Sequence, residues 1–129
     1  MITTTHGRAY NAFIALGQLR SIVKGMDALH TFHMRNALKD AVDFMAEEEV
    51  RYVQEAGGTI TEAGVVIIPD KEKRVEYFKN RKELDEMPYE VKYDPITILI
   101  SRCPDITGEQ IEMLSGFVMF TEDETDGNQ

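Results

Sequence analysis

His30-x-x-His33 sets two imidazoles about one helical turn apart, a spacing at which both can ligate a transition metal once a third donor such as a carboxylate joins them. No Cys cluster and no His-Glu-x-x-His pattern accompanies the pair. Capping, packing or solvent roles are therefore expected for both, and no metal or other cofactor is assigned. Glu47-Glu48-Glu49 offers carboxylates that could push one another's proton affinity apart for acid/base work. Successive helical residues are rotated by about 100°, however, so the three do not face one pocket. A solvated face is the expectation, with Arg51 within helical reach of Glu47 or Glu48.

Nucleophile chemistry has little support. Cys103 precedes Pro104 with no recognisable Cys-His context, and a lone thiol of this kind is usually a small buried apolar residue. Ser21, Ser101 and Ser115 lack a nucleophile-elbow pattern, and Gly57-Gly58 does not belong to a phosphate-binding loop. Lys71-Glu72-Lys73-Arg74 and Lys79-Asn80-Arg81-Lys82, with Tyr77 and Phe78 between, form the one basic and aromatic cluster worth weighing for nucleic acid. Glu72, Glu76, Glu83, Asp85 and Glu86 surround it, so a solvated amphipathic helix is expected and nucleic-acid binding is not.

The elements that would position these residues can be read from periodicity. Tyr10, Phe13, Ile14, Leu16, Leu19, Ile22 and Val23 predict a first helix over 6–23, capped by Thr4 or Thr5 and ended by Gly25. Gly17, costly inside a helix, marks a close crossing. A linker over 26–30 leads to a second helix over 31–56, stopped at Gly57-Gly58. Some 25 residues make a rod of roughly 37 Å. That equals the diameter of about 36 Å expected for a compact chain of this size. The two helices should form an antiparallel spine, with part of the longer one projecting or covered by another subunit.

Thr59-Ile60-Thr61 and Val65-Val66-Ile67-Ile68 flank a Gly-containing connection and predict a small hairpin. Pro69 ends it, and Asp70 caps a third helix over 71–84 with Val75, Phe78 and Leu84 inward. Tyr89–Tyr93 and Ile96–Ile100 read as two short strands or one bent strand around Asp94-Pro95. Thr107-Gly108-Glu109-Gln110 is a capping-box candidate opening a last helix through Phe120, with Ile111, Leu114 and Phe117 or Val118 inward. The expected fold is α+β: a long antiparallel helical hairpin with a small antiparallel sheet and two further helices.

Composition sets the outer limits. With 129 residues the chain should fold as one domain, over 1–120, and bury roughly two-thirds of its unfolded surface. The single Cys and the lack of a signal-peptide pattern at the N-terminus predict a cytoplasmic protein. Apolar runs reach only four residues, far below a membrane span, so no membrane partner is expected. The formal charge of −9 divides as −1 over residues 1–60, −4 over 61–120 and −4 over 121–129. The last stretch has no apolar anchor and is expected to be a disordered acidic tail.

The helix containing Ile14-Ala15-Leu16-Gly17-Gln18-Leu19, the polar helix carrying Arg35-Asn36-Ala37-Leu38-Lys39, and the segments Gly64-Val65-Val66-Ile67-Ile68-Pro69, Tyr93-Asp94-Pro95-Ile96 and Ile106–Leu114 resemble a family of small tailed-bacteriophage proteins of unknown function. The resemblance implies a phage or prophage accessory protein in the host bacterial cytoplasm, without an established enzymatic role, and transfers no functional residues. The expectation is a non-enzymatic protein acting by protein–protein interaction as a homo-oligomer, with a phage or host protein as a further partner. Alternatives are a virion assembly component, an acidic inhibitor of a host defence or nucleic-acid-processing protein, and a small enzyme without a recognisable motif. Candidate contact residues are Tyr10, Phe13, Leu16, Phe44, Met45 and Tyr52, because the first two helices offer more apolar face than one short partner covers.

Overall fold

The computed structural model describes residues 1–122. The expected acidic tail over 121–129 lies, apart from its first two residues, outside them. Chain order is β1 (Ile2–Thr5), α1 (His6–Leu19), α2 (Gly25–Glu55), β2 (Thr59–Ile60), β3 (Val66–Ile67), α3 (Lys71–Glu86), β4 (Pro88–Val91), β5 (Ile96–Leu99), a short 3-10 turn (Ile100–Arg102), α4 (Gly108–Met113) and β6 (Val118–Thr121). The α+β class and the packed helical pair agree with expectation.

The helices pack antiparallel. His6 stacks on Phe44, Phe13 accepts from Arg35, and Leu16 and Val23 line one cavity with Ala28 and Thr31. Ala9, Ala12 and Ala15 of α1 are fully buried, and their small side chains let the helices approach closely. On α2 the buried residues Asp27, Thr31, Met34, Leu38, Ala41 and Met45 step by four and three, giving one continuous stripe. Gly17 does mark a crossing, but of a side chain: a Cβ there would meet the Arg35 guanidinium at 3.3 Å.

Several boundaries differ from the sequence reading. Gly25 takes the expected left-handed conformation, φ 59°, yet it opens α2 instead of closing α1. The first helix has already ended at Leu19 in a turn where Ile22 and Val23 both donate to the Leu19 carbonyl. Nothing after Gly25 breaks a helix, so the expected linker over 26–30 is helical and α2 reaches 31 residues, roughly 46 Å. Its far end is covered by this same chain, through α3 and the β2–β3 hairpin.

The single antiparallel sheet is replaced by three two-stranded ladders. β1 pairs antiparallel with β4, Ile2 opposite Val91, and β2 pairs antiparallel with β3, Ile60 opposite Val66. β5 pairs parallel with β6, Ile96 opposite Val118 and Leu99 opposite Thr121. The last helix therefore stops at Met113, because Gly116 at φ 90° turns the chain and frees Val118–Thr121 to pair. Thr107 and Gln110 form the capping box anticipated for α4.

Two cores result. The larger joins α1 and α2 as far as Ala41 to Ile2, Val91, Ile98, Cys103, Leu114 and Phe117. The smaller, in what we call the distal lobe, is Val53, Ala56, Ile68 and Tyr77. On α3 the helical phase differs from expectation: Tyr77 and Leu84 face inward, while Val75 and Phe78 are exposed at 64% and 62%. Among the described residues no helix is long and apolar enough to cross a membrane.

Candidate interaction surfaces

The residues with chemical potential are dispersed. His30 borders an open depression of about 790 Å³ with Tyr93, Pro95 and Ile96, while His33 is exposed and packs against Phe32 and Tyr93. Among the described residues no three His, Cys, Asp or Glu side chains come together as a metal set. Cys103 is fully buried, and burial, with Asp27 and Asp105 nearby, pushes its thiol pKa up. That holds it as the unreactive protonated form at neutral pH.

The three consecutive glutamates have separate fates. Glu47 is exposed, Glu48 is bound by Arg51 and has its pKa lowered by that contact, and Glu49 points toward α3. There Arg81 Nε lies 2.9 Å from Glu49 Oε2, and the Tyr77 hydroxyl donates to the same carboxylate at 3.0 Å. Burial and the Glu49 contact push the Tyr77 pKa up to about 12. Of the basic cluster, Arg74 donates to the Ile68 and Pro69 carbonyls and Arg81 is held by Glu49 and Asp85, so two of its cations serve the fold.

The six candidate contact residues do not form one patch. Leu16 and Met45 are buried within the single chain, Leu16 in the larger core. Phe13 lies beneath the Arg35 guanidinium, 3.8 Å from ring centroid to carbon, and Tyr52 lies beneath Arg51 at 5.1 Å. Phe44 packs on the buried His6, whose Nδ1 is 2.9 Å from the Met87 carbonyl oxygen. Tyr10, at 42% exposed, borders a depression with Arg81 and Asp85.

Exposed apolar side chains concentrate elsewhere. The distal lobe leaves Val50, Ile60, Val65, Ile67, Val75 and Phe78 exposed around its four-residue core. Cross-strand register explains part of this: Val66 packs against the core, whereas its neighbour Ile67 shares the opposite face of the hairpin with Thr59. On α3, Val75 and Phe78 lie one turn apart, Phe78 edge-on to the Tyr77 ring.

At the opposite end of α2 a cavity of about 300 Å³ opens between the helices. Leu16, Val23 and Thr31 are buried in its floor, Ala28 lines it, and Arg20, Phe32, Arg35 and Asn36 form the rim. Neither Asp nor Glu lines it. The sequence reading did not single out Arg20 or Arg35; their signal is positional, each standing one turn along a helix from a buried residue, Leu16 and Thr31 respectively. The chain matches no family model, no curated protein and no solved structure.

Proposed function

We propose that the protein is a non-enzymatic phage or prophage accessory protein of the host bacterial cytoplasm that acts by protein–protein contact, with the distal lobe joining two copies. The observation that supports this reading is the imbalance within that lobe: four buried core residues against six exposed large apolar ones. Permanent homo-oligomer interfaces are apolar and resemble a core cut in half. A second copy laid across the lobe would complete such a core, and a twofold arrangement would let one patch serve both partners. On this reading the contact lies on α3 and the hairpin, and Tyr52 is the one earlier candidate that packs against the same small core.

Size-exclusion chromatography with light scattering tests the reading over a range of concentrations. The parent chain is expected to run as a dimer or larger, and Phe78→Glu as a monomer with unchanged circular dichroism. Phe78 is 62% exposed, so the substitution leaves the single chain's core intact. A parent chain that stays monomeric at high concentration, or a Phe78→Glu variant that assembles like the parent, refutes the assignment.

A further inference from the structure

The cavity between α1 and the start of α2 combines several features of a ligand site. Its floor is apolar and buried, its volume of about 300 Å³ lies at the small end of ligand-binding pockets, and it carries two arginines without a lining carboxylate. Elsewhere the chain is acidic, with 23 Asp and Glu against 14 Lys and Arg. Acids engage some of its other cations: Lys39, Arg51, Arg81 and Arg102 make side-chain ion pairs. Arg20 and Arg35 make none among the described residues.

Arg35 is also held in place. Its Nε donates to the Phe13 carbonyl at 3.3 Å, its carbon lies 3.8 Å from the Phe13 ring centroid, and Gly17 leaves the room in which the fork rests. Stacking and the Nε bond fix the plane of the guanidinium while its terminal nitrogens keep donor capacity. A fixed planar fork beside an apolar floor suits a carboxylate, which accepts two parallel hydrogen bonds, better than a fully hydrated inorganic anion. Asn36 adds an amide at the rim, and Phe32, 58% exposed, stands as an aromatic wall.

We propose that this cavity binds a small carboxylic acid of about ten heavy atoms, its hydrocarbon against Leu16, Val23 and Ala28 and its carboxylate between Arg20 and Arg35. The size follows from the volume, which equals that of roughly ten waters at about 30 Å³ each. The net negative charge of the chain does not prevent this, since charges farther away than about 8 Å are largely screened at physiological salt. The site is independent of the proposed oligomer: Phe32 and Val50 are separated by roughly 27 Å along α2.

The test is a heteronuclear NMR titration of the full chain with 3-phenylpropionate, its neutral amide 3-phenylpropionamide, and inorganic phosphate. Saturable shifts are expected at Leu16, Val23, Ala28, Thr31 and Phe32, with a dissociation constant below about 1 mM. The amide and phosphate should each bind at least about tenfold more weakly, since each lacks either the charge or the apolar body. Arg20→Gln should weaken the carboxylate by a similar factor, and Arg35→Gln by more. Arg20 is exposed, so its variant keeps the test decisive if the Arg35 change disturbs packing. Non-saturating shifts, shifts confined to another surface, equal binding of the amide, or an Arg20→Gln variant with parental affinity would each overturn the proposal.

Discussion

The same chemical change, glycine to alanine, should have opposite consequences at two positions of this fold. Gly58 follows the end of α2, where the chain turns into β2. A Cβ at that position would lie 2.6 Å from the Ile67 carbonyl oxygen and 2.7 Å from Ile68 Cγ1. Carbon and oxygen come into ordinary contact at about 3.3 Å, so the carbonyl must retreat by roughly 0.7 Å. That carbonyl is backbone of β3, and Ile68 beside it is one of the four core residues of the lobe. Strain of this kind costs about 1–3 kcal/mol. At Gly17 the Cβ would meet side-chain atoms, Arg35 Nε and Nη2, both at 3.3 Å. A flexible guanidinium can yield a few tenths of an ångström. Alanine gains about 0.8–1.0 kcal/mol of helix propensity there. Weakening the Arg35 bond to Phe13 costs a similar amount, about 0.5–1.5 kcal/mol. Gly17→Ala should therefore stay within about 0.5 kcal/mol of the parent, with Gly58→Ala at least about 1 kcal/mol below it. Urea denaturation measures the difference, and hydrogen exchange should place the loss at Gly58 in the hairpin and the last turns of α2. A Gly58→Ala protein of parental stability, or a Gly17→Ala protein that is the less stable of the two, refutes the reasoning.

Tyr77 predicts an alkaline dependence. Its native pKa of about 12 exceeds the ordinary value of 10.0, so between those values the unfolded chain has lost a proton that the folded chain keeps. Stability should fall as pH rises through that window, and the slope should be shallower in Tyr77→Phe when denaturation midpoints are compared from pH 9 to 12. A slope unchanged by the substitution counts against the Tyr77–Glu49 contact. Cys103 should label with a thiol reagent only at the rate at which the native chain opens, and at full speed in urea; immediate stoichiometric labelling of the folded protein would contradict its burial.

Local signals were the most legible part of the fold. Thr5, Asp70 and Thr107 all cap the helices that their sequence context announced, since a cap depends on one side chain and the backbone within three residues of it. The hairpin was legible for the same reason. Pairing at a distance was not: the β1–β4 ladder joins residues nearly 90 positions apart, and one isoleucine followed by three threonines, Ile2–Thr5, gives no hint of its partner. The parallel β5–β6 pair was hidden because Phe117–Phe120 fits helix and strand equally as an apolar run, and Gly116 decides between them. Helical phase on α3 was missed although it was readable. Tyr77 and Leu84 are seven apart and reinforce one another, whereas the positions seven beyond Val75 and Phe78 are Lys82 and Asp85.

The candidate surfaces were less legible because the length of α2 was read correctly as excessive, but the part beyond α1 was expected to project or to be covered by another subunit, whereas α3 and the hairpin pack on it. α1 begins at His6, opposite Phe44, and can cover nothing beyond that point. The buried stripe of α2 runs unbroken to Met45, and its next position is Glu49. A carboxylate there cannot continue a dry core; it is satisfied instead by Arg81 and the Tyr77 hydroxyl, a polar seam at the level where one helical partner ends and the other begins. The seam divides the apolar interior in two and leaves the outer part with only four core residues, too few to make a lobe self-sufficient by burial. The covalent continuity of α2, the Glu49 network and the Arg74 bonds to the Ile68 and Pro69 carbonyls hold that lobe along with its small core. The apolar side chains left outside it are then the consequence of a helix that extends past its first partner, and they lie where a second molecule can add burial that α3 and a two-residue-per-strand hairpin cannot supply.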